Sequence, residues 1–318
     1  MRYSAVMAAQ PRTTSPPTSD RARGTGLVFG LGAYAIWGVL PIYFKRVAAA
    51  PPVELLAHRV LWALVLLLAL SWQQGLLGEL REALRPGRTL AFLAATTVLI
   101  AVNWLVYIWA VVHGRIMEGS LGYFINPLVN VLLGVVVLKE RLERPVLAAV
   151  LVAAAGVAWL TLQVGHPPWI SLTLAASFGL YGLLRKLVPV GAVAGLTVET
   201  LLLSPLAAGY LLWARSAGRL AFGGGRAGLD VLLVLAGPIT AVPLLLFTGA
   251  ARRLPLTTLG ILQYLSPTLQ LLVAIFLYGE PFTAARGVAF ACIWTALLIF
   301  AAHSLVRGGS ATTPRAAP

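Results

Sequence analysis

Between residues 26 and 305 the chain is a succession of apolar stretches of about 20 residues, and the interruptions between them are too short to fold on their own. Wound as a helix at about 1.5 Å per residue, a stretch of that length matches the roughly 30 Å hydrocarbon thickness of a bilayer. Ten spans are read, at 26–44, 53–72, 89–112, 115–138, 145–164, 168–187, 191–213, 229–250, 256–279 and 284–305. With 59% hydrophobic and 11% charged residues, the 318-residue chain has too little polar surface to cover a soluble globule. The expected fold is all-α and integral to the membrane, with the lipid bilayer as its first partner.

The ends and the charges fit that reading. Residues 1–25 are rich in Ser, Thr, Pro and Arg, have no apolar core of signal-peptide length, and read as a disordered basic tail; 306–318 form a C-terminal tail. A net charge of +14 raises nucleic acid as a partner, but the basic residues are dispersed over interhelical loops, so none is expected. With a cytoplasmic N-terminus, sixteen of the 24 basic residues fall on inside segments, and ten spans return the C-terminus to the cytoplasm. Lys45-Arg46 and the Arg215–Arg226 loop dissent. Cys292, the one cysteine, lies in the last span and excludes an intrachain disulfide.

Two segments, 119–140 (GSLGYFINPLVNVLLGVVVLKE) and 259–280 (LGILQYLSPTLQLLVAIFLYGE), repeat one plan at an offset of 140. Each is apolar, interrupted by Asn-Pro or Ser-Pro, and closed thirteen residues after the proline by Glu140 or Glu280. Identity within the window is limited to Pro127/Pro267, Leu132/Leu272 and Glu140/Glu280. The repeat divides the chain into 26–164 and 165–305, five spans each. An odd number makes the second unit enter from the opposite side, so the units are expected to be inverted repeats, the symmetry of many transporters.

Pro127 and Pro267 lack an N–H, which frees the carbonyls of Tyr123 and Gln263 near mid-bilayer and predicts helix breaks turned toward protein, water or ligand. Tyr123, Asn126 and Asn130 share one helical face, and Gln263, Ser266 and Gln270 share the matching face of the second unit. Two readings stand: a common solute cavity, or structural kinks whose amides bond neighbouring helices. Asn103, Trp104, Tyr107 and Trp109 in the third span add rings and an amide suited to an amphipathic or aromatic solute, or to packing with an interfacial belt.

Arg59 and Glu199 are charges inside spans two and seven at equivalent repeat positions, but inversion sets them at opposite depths. Glu54 and His58, on the same helix as Arg59, are its expected partners, with gating or coupling as the functional reading and structural anchoring as the other. The four histidines are scattered, no nucleotide or hydrolase motif occurs, and no metal, cofactor or catalytic residue is expected. Glu140 and Glu280 read as caps of helix ends. Gly26 and Gly30, with Ala149, Ala153 and Gly156, permit close helix contact, either within the chain or in a homodimer.

These residues resemble the drug/metabolite transporter superfamily with its two EamA-type five-helix units, most closely the RarD-type permeases. The stretches ELLAHRVLWA (54–63), NWLVYIWAV (103–111), EGSLGYFINPLVNVLLG (118–134) and LQYLSPTLQLL (262–272) carry the resemblance, which covers about 26–305. It implies a cytoplasmic-membrane permease for a small metabolite, ten helices with both ends inside, and a central cavity. By the same resemblance Asn103, Tyr123, Asn126, Asn130 and Gln263 line that cavity, with Arg59 near its outer mouth. Pro243 stands where the second unit would repeat Asn103, so the site is expected to be asymmetric. The leading expectation is a secondary transporter or exporter; the alternative is a non-transporting scaffold or an intramembrane enzyme.

Overall fold

The computed structural model describes residues 20–138, 144–251, 253–254, 258–259 and 262–310. Its regular structure is helical: α1 (Asp20–Arg46), α2 (Pro52–Gln73), α3 (Leu77–Ala83), α4 (Arg88–Val112), α5 (Ile116–Leu138), α6 (Arg144–Val164), α7 (Trp169–Leu187), α8 (Ala192–Ser216), α9 (Ala227–Ala251), α10 (Leu265–Leu272), which runs into a π turn (Val273–Leu277), and α11 (Ala284–Ser310). Among the described residues, six helices are long and apolar enough to cross a membrane by length and composition, and two apolar helices are shorter. Phe276, Leu162, Leu206 and Leu298, each more than 70% exposed, face outward, as lipid-facing residues do.

Each predicted span meets a helix, but two local expectations fail. The segment between spans two and three contains α3, because Leu80 and Ala83 are spaced to seat one face on Val188, Ala194 and Val198. Pro127 does not break α5, which runs through it without interruption. Pro267 instead occupies the first turn of α10, where its missing N–H is not needed. The interruption falls at Gln263-Tyr264, and the Gln263 carbonyl accepts the Ser266 N–H at 3.3 Å. Glu140 lies outside the described residues.

The main packings are α6 on α11, α5 on α7 and α10, α2 on α8 and α9, α1 on α9 and α10, and α4 on α7 and α8. Each joins a helix of the first half to one of the second. Small residues permit this. A methyl on Gly122 of α5 would lie 2.8 Å from the Ser171 carbonyl oxygen of α7, and one on Gly156 of α6 would lie 2.6 Å from the Cys292 Cβ of α11. Gly26 and Gly30 seat α1 against Arg253, Leu254 and Leu262, so these small faces are covered within the chain.

The two ends of the bundle differ. At the end where α1 begins, a cleft of about 390 Å³ opens among Gln74, Val193, Leu245, Thr248, Gly249 and Arg253. At the far end, carboxylates and hydroxyls tie segments of the two halves to each other. Glu280 accepts the N–H groups of Ile116 and Met117 at 2.6 and 2.9 Å, and Glu54 accepts those of Ala221 and Phe222 at 3.0 and 2.9 Å. Tyr43 donates to the Leu232 carbonyl at 2.9 Å.

Candidate functional site

Beneath the far end, α1, α2, α4, α5 and α7 converge on a layer of aromatic and polar side chains. Asn103 is 1% exposed and fully engaged: its Nδ2 donates to the Leu174 carbonyl at 3.1 Å and to Ser177 Oγ at 3.0 Å, and its Oδ1 accepts the Tyr123 hydroxyl at 3.1 Å. An amide at this depth needs such partners, and Ser177 on α7 supplies one. The Tyr107 ring meets those of Tyr123 and Phe44 edge to face at 5.4 and 5.9 Å. It fits because Gly119 has no side chain: a Cβ there would sit 3.0 Å from the ring. The Tyr107 hydroxyl is buried and has no hydrogen-bond partner among the described residues.

Arg59 belongs to this layer, seven residues into α2 and so about 10 Å below the far end. Its guanidinium lies 4.2 Å from the Trp104 ring centroid and 5.9 Å from that of Phe44, while Tyr43, Tyr107 and Tyr123 are close enough to interact with its charge. Glu54 and His58 are not its partners, contrary to the expectation from spacing. Glu54 turns to the backbone at 221–222, and His58 accepts the Trp62 Nε1–H at 3.3 Å and packs on Phe222 at 4.7 Å. Together they hold down the α8–α9 loop, where Gly223, at φ 77°, takes a left-handed turn that side chains disfavour. Arg59 lies inside the layer, with Glu54 and His58 above it.

The remaining predicted residues separate into smaller groups. Asn126 is buried with its Oδ1 unpartnered among the described residues, whereas Asn130, one turn on, is exposed. Ser266 and Gln270 are 8% and 2% exposed; Gln270 Nε2 donates to Ser266 Oγ and to the Trp37 carbonyl, both at 3.2 Å, which turns this pair toward α1. Gln263 is half-buried at the break before α10. The two repeated segments touch where Ser120 Oγ donates to the Pro267 carbonyl at 2.7 Å. Trp109 stands apart, stacked on His113 at 4.2 Å.

Glu199, at the other end, is neither free nor near Arg59. It is 1% exposed, accepts from Thr96 Oγ1 at 2.7 Å and from the Tyr181 hydroxyl at 3.1 Å, and lies 3.8 Å from Arg185 Nε. Its partners come from α4 and α7, so the spacing of residues along α8 does not reveal them. Tyr43, Phe44, Ser177 and Arg185 were missed for the same reason. Phe44 is buried and Tyr43 half-buried because α1 packs on helices of the second half, which nothing in their own spacing reveals.

Comparison with known proteins gives the family. The family model "EamA-like transporter family" matches residues 24–162. "Uncharacterized transporter YojE" of Bacillus subtilis is 46% identical over 281 residues, covering 86% of this chain and 93% of the relative. "Protein RarD" of Escherichia coli is 44% identical over 275 residues, covering 86% and 93%. The chain belongs to the EamA-like transporter family, among its RarD-type members. A solved structure titled "Crystal structure of protein" superposes with a TM-score of 0.55 at 19% identity over 87% of this chain and 97% of its own, a likeness of fold alone. Membership in the EamA family and the apolar helices make this a multi-pass membrane protein of transporter type.

Proposed function

We propose that this EamA-family chain is a secondary transporter of a small organic solute in the cytoplasmic membrane. It works by alternating access between inverted repeats, 26–164 and 165–305, which cross ten times and leave both termini in the cytoplasm. Several observations support the reading. The family model ends where the first unit ends. Exchanging the halves turns the packing of α5 on α7 into that of α1 on α10, and α2 on α9 into α4 on α8, and both members of each exchange occur.

One observation carries the proposal. Asn130 and Gln270 stand 140 residues apart at equivalent positions, yet Asn130 is exposed and Gln270 is 2% exposed. Inverted repeats put such a pair at opposite depths, and a carrier caught open at one end exposes one and covers the other. The cleft lies at the end where α1 begins and the ties at the far end, which agrees with that assignment.

The test uses a Cys292→Ser background carrying Asn130→Cys or Gln270→Cys, labelled in oriented vesicles with a membrane-impermeant thiol reagent. Asn130→Cys is expected to react from the side of the termini and Gln270→Cys to be protected. Adding Glu280→Ala, which cuts a far-end tie, is expected to reverse the pattern. Reactivity that never changes side would refute alternating access and favour a scaffold. In proteoliposomes, Asn126→Leu is expected to reduce solute flux sharply, and unchanged flux would remove that residue from the pathway.

A further inference from the structure

Arg59 is 93% buried, since its exposure is 7%, and its Nε and Nη1 have no hydrogen-bond partner among the described residues. That is an expensive arrangement: an uncompensated charge out of water costs several kcal/mol, so buried arginines are normally paired. The rings do not discharge the debt. Stacking on Trp104 satisfies the face of the guanidinium, while its N–H donors point outward in the plane. No carboxylate among the described residues lies within ion-pair distance, and those of the far end are already engaged. Glu54 is held by Ala221 and Phe222, Glu280 by Ile116 and Met117, and Asp230 by the Gly223 N–H at 2.8 Å.

The orphaned groups of Arg59 and Tyr107 are of one kind, whereas Asn126 Oδ1, one turn beyond Tyr123 on α5, is an orphaned acceptor. Nε and Nη1 of Arg59 and the hydroxyl of Tyr107 are all able to donate. Tyr43 and Tyr123 spend their protons on Leu232 and Asn103, which leaves their ring faces and edges as walls. What completes the group is a planar acceptor that brings negative charge and no hydrogen of its own, attached to an apolar body.

On the transport reading above, we infer that Arg59 is the solute-recognition residue of this protein and that the solute is an organic monocarboxylate. One carboxylate oxygen pair matches the guanidinium fork, and the Tyr107 hydroxyl reaches the same anion. The charge count favours a monoanion: a single arginine among neutral phenols neutralises one negative charge and would leave a phosphate dianion with one buried and unpaired. The aromatic walls of Phe44, Trp104 and Tyr123 suit an apolar or aromatic body. Arg59 is then unpaired in the empty carrier because its partner is the cargo.

The test is binding, measured without transport. The thermal midpoint of the purified full-length protein is followed with benzoate, phenylacetate, indole-3-acetate and butyrate, and with benzamide, phenyl phosphate and chloride as contrasts. At least one carboxylate is expected to raise the midpoint, with no rise from benzamide. Arg59→Gln is expected to abolish the effect, and Tyr107→Phe to weaken apparent affinity about 3- to 10-fold, the loss of one hydrogen bond. In the absence of ligand, Arg59→Leu is expected to melt higher than wild type, because a structural arginine would be missed and a cargo-binding one is not. No carboxylate effect in wild type, or an effect that survives Arg59→Gln, overturns the inference. Phenyl phosphate or chloride matching the carboxylates overturns the monocarboxylate assignment. If Arg59→Gln does not fold, Arg59→Lys and Tyr107→Phe decide: unchanged affinity in both rejects the site. Anion binding without side-switching in the labelling experiment breaks the transport reading alone, and side-switching without anion binding breaks this inference alone.

Discussion

Arg59 and Glu199 stand 140 residues apart, the offset at which segments 119–140 and 259–280 repeat, and are served in opposite ways. Glu199 has two hydroxyl donors and an arginine within 3.8 Å; Arg59 has ring faces and, among the described residues, no acid. Asn130 and Gln270 differ likewise, one exposed and the other 2% exposed. Positions at the same offset have thus diverged in surroundings: Glu199, toward the termini, is buried and tied, while Arg59, beneath the far end, is buried with two of its N–H groups unpartnered among the described residues. The lesson is that a charge's role here is read from its partners, not from its place in a repeat.

That contrast can be broken from either end. The largest effect is expected from Glu280→Ala, which frees two buried N–H groups at the start of α5; a loss of about 3 kcal/mol, seen as a fall in thermal midpoint, follows from two charge-assisted bonds. An unchanged midpoint would mean that the far-end tie does not hold that end shut. Next come the two close crossings. Gly122→Ala meets the Ser171 carbonyl oxygen at 2.8 Å and is expected to cost about 1–3 kcal/mol, because backbone cannot step aside. Gly30→Ala crowds the Leu262 Cδ1 at 2.9 Å, a movable methyl, with Ala250 and Leu254 at ordinary contact distance, and is expected to cost less than 1 kcal/mol. Equal costs would erase the difference between the crossings. Glu199→Gln should cost about 1–2 kcal/mol through the Thr96 and Tyr181 bonds, measured by denaturation.

The smallest effect concerns pH. Burial raises the Glu280 carboxyl above its ordinary value of 4.5, although the N–H groups of Met117 and Ile116 pull it down. A raised folded-state value means that the native protein holds its proton longer than the unfolded chain. The associated stability is therefore full below 4.5 and is lost as the pH rises through the folded value. Melting followed across that window should show this slope in wild type and lack it in Glu280→Gln.

Much of the fold was legible because span length and apolarity act locally: a run of about 20 apolar residues needs no partner to declare itself a helix in lipid. The grouping of Asn103 with Tyr107 was legible for the same reason, one turn apart on one helix. Long-range pairing was not. Glu54 is four residues from His58 and five from Arg59, yet its carboxylate reaches Ala221, 167 residues away, which no spacing rule anticipates. Pro127 was misjudged because a proline's missing N–H is a local fact, whereas whether the helix continues is settled by the neighbours that pack around it.

The way the helices choose partners has a consequence for how the protein is made. Since α1, α2, α4, α5 and α6 each pack mainly on helices of the other half, a ribosome midway through the message has delivered five helices whose mates do not yet exist. They must wait in the bilayer with small and polar faces uncovered, and α6 waits until the very last helix emerges to meet it. Assembly is therefore a closing act rather than a gradual one, and a chain cut short before α11 loses a partner for α6 as well as its own final helix.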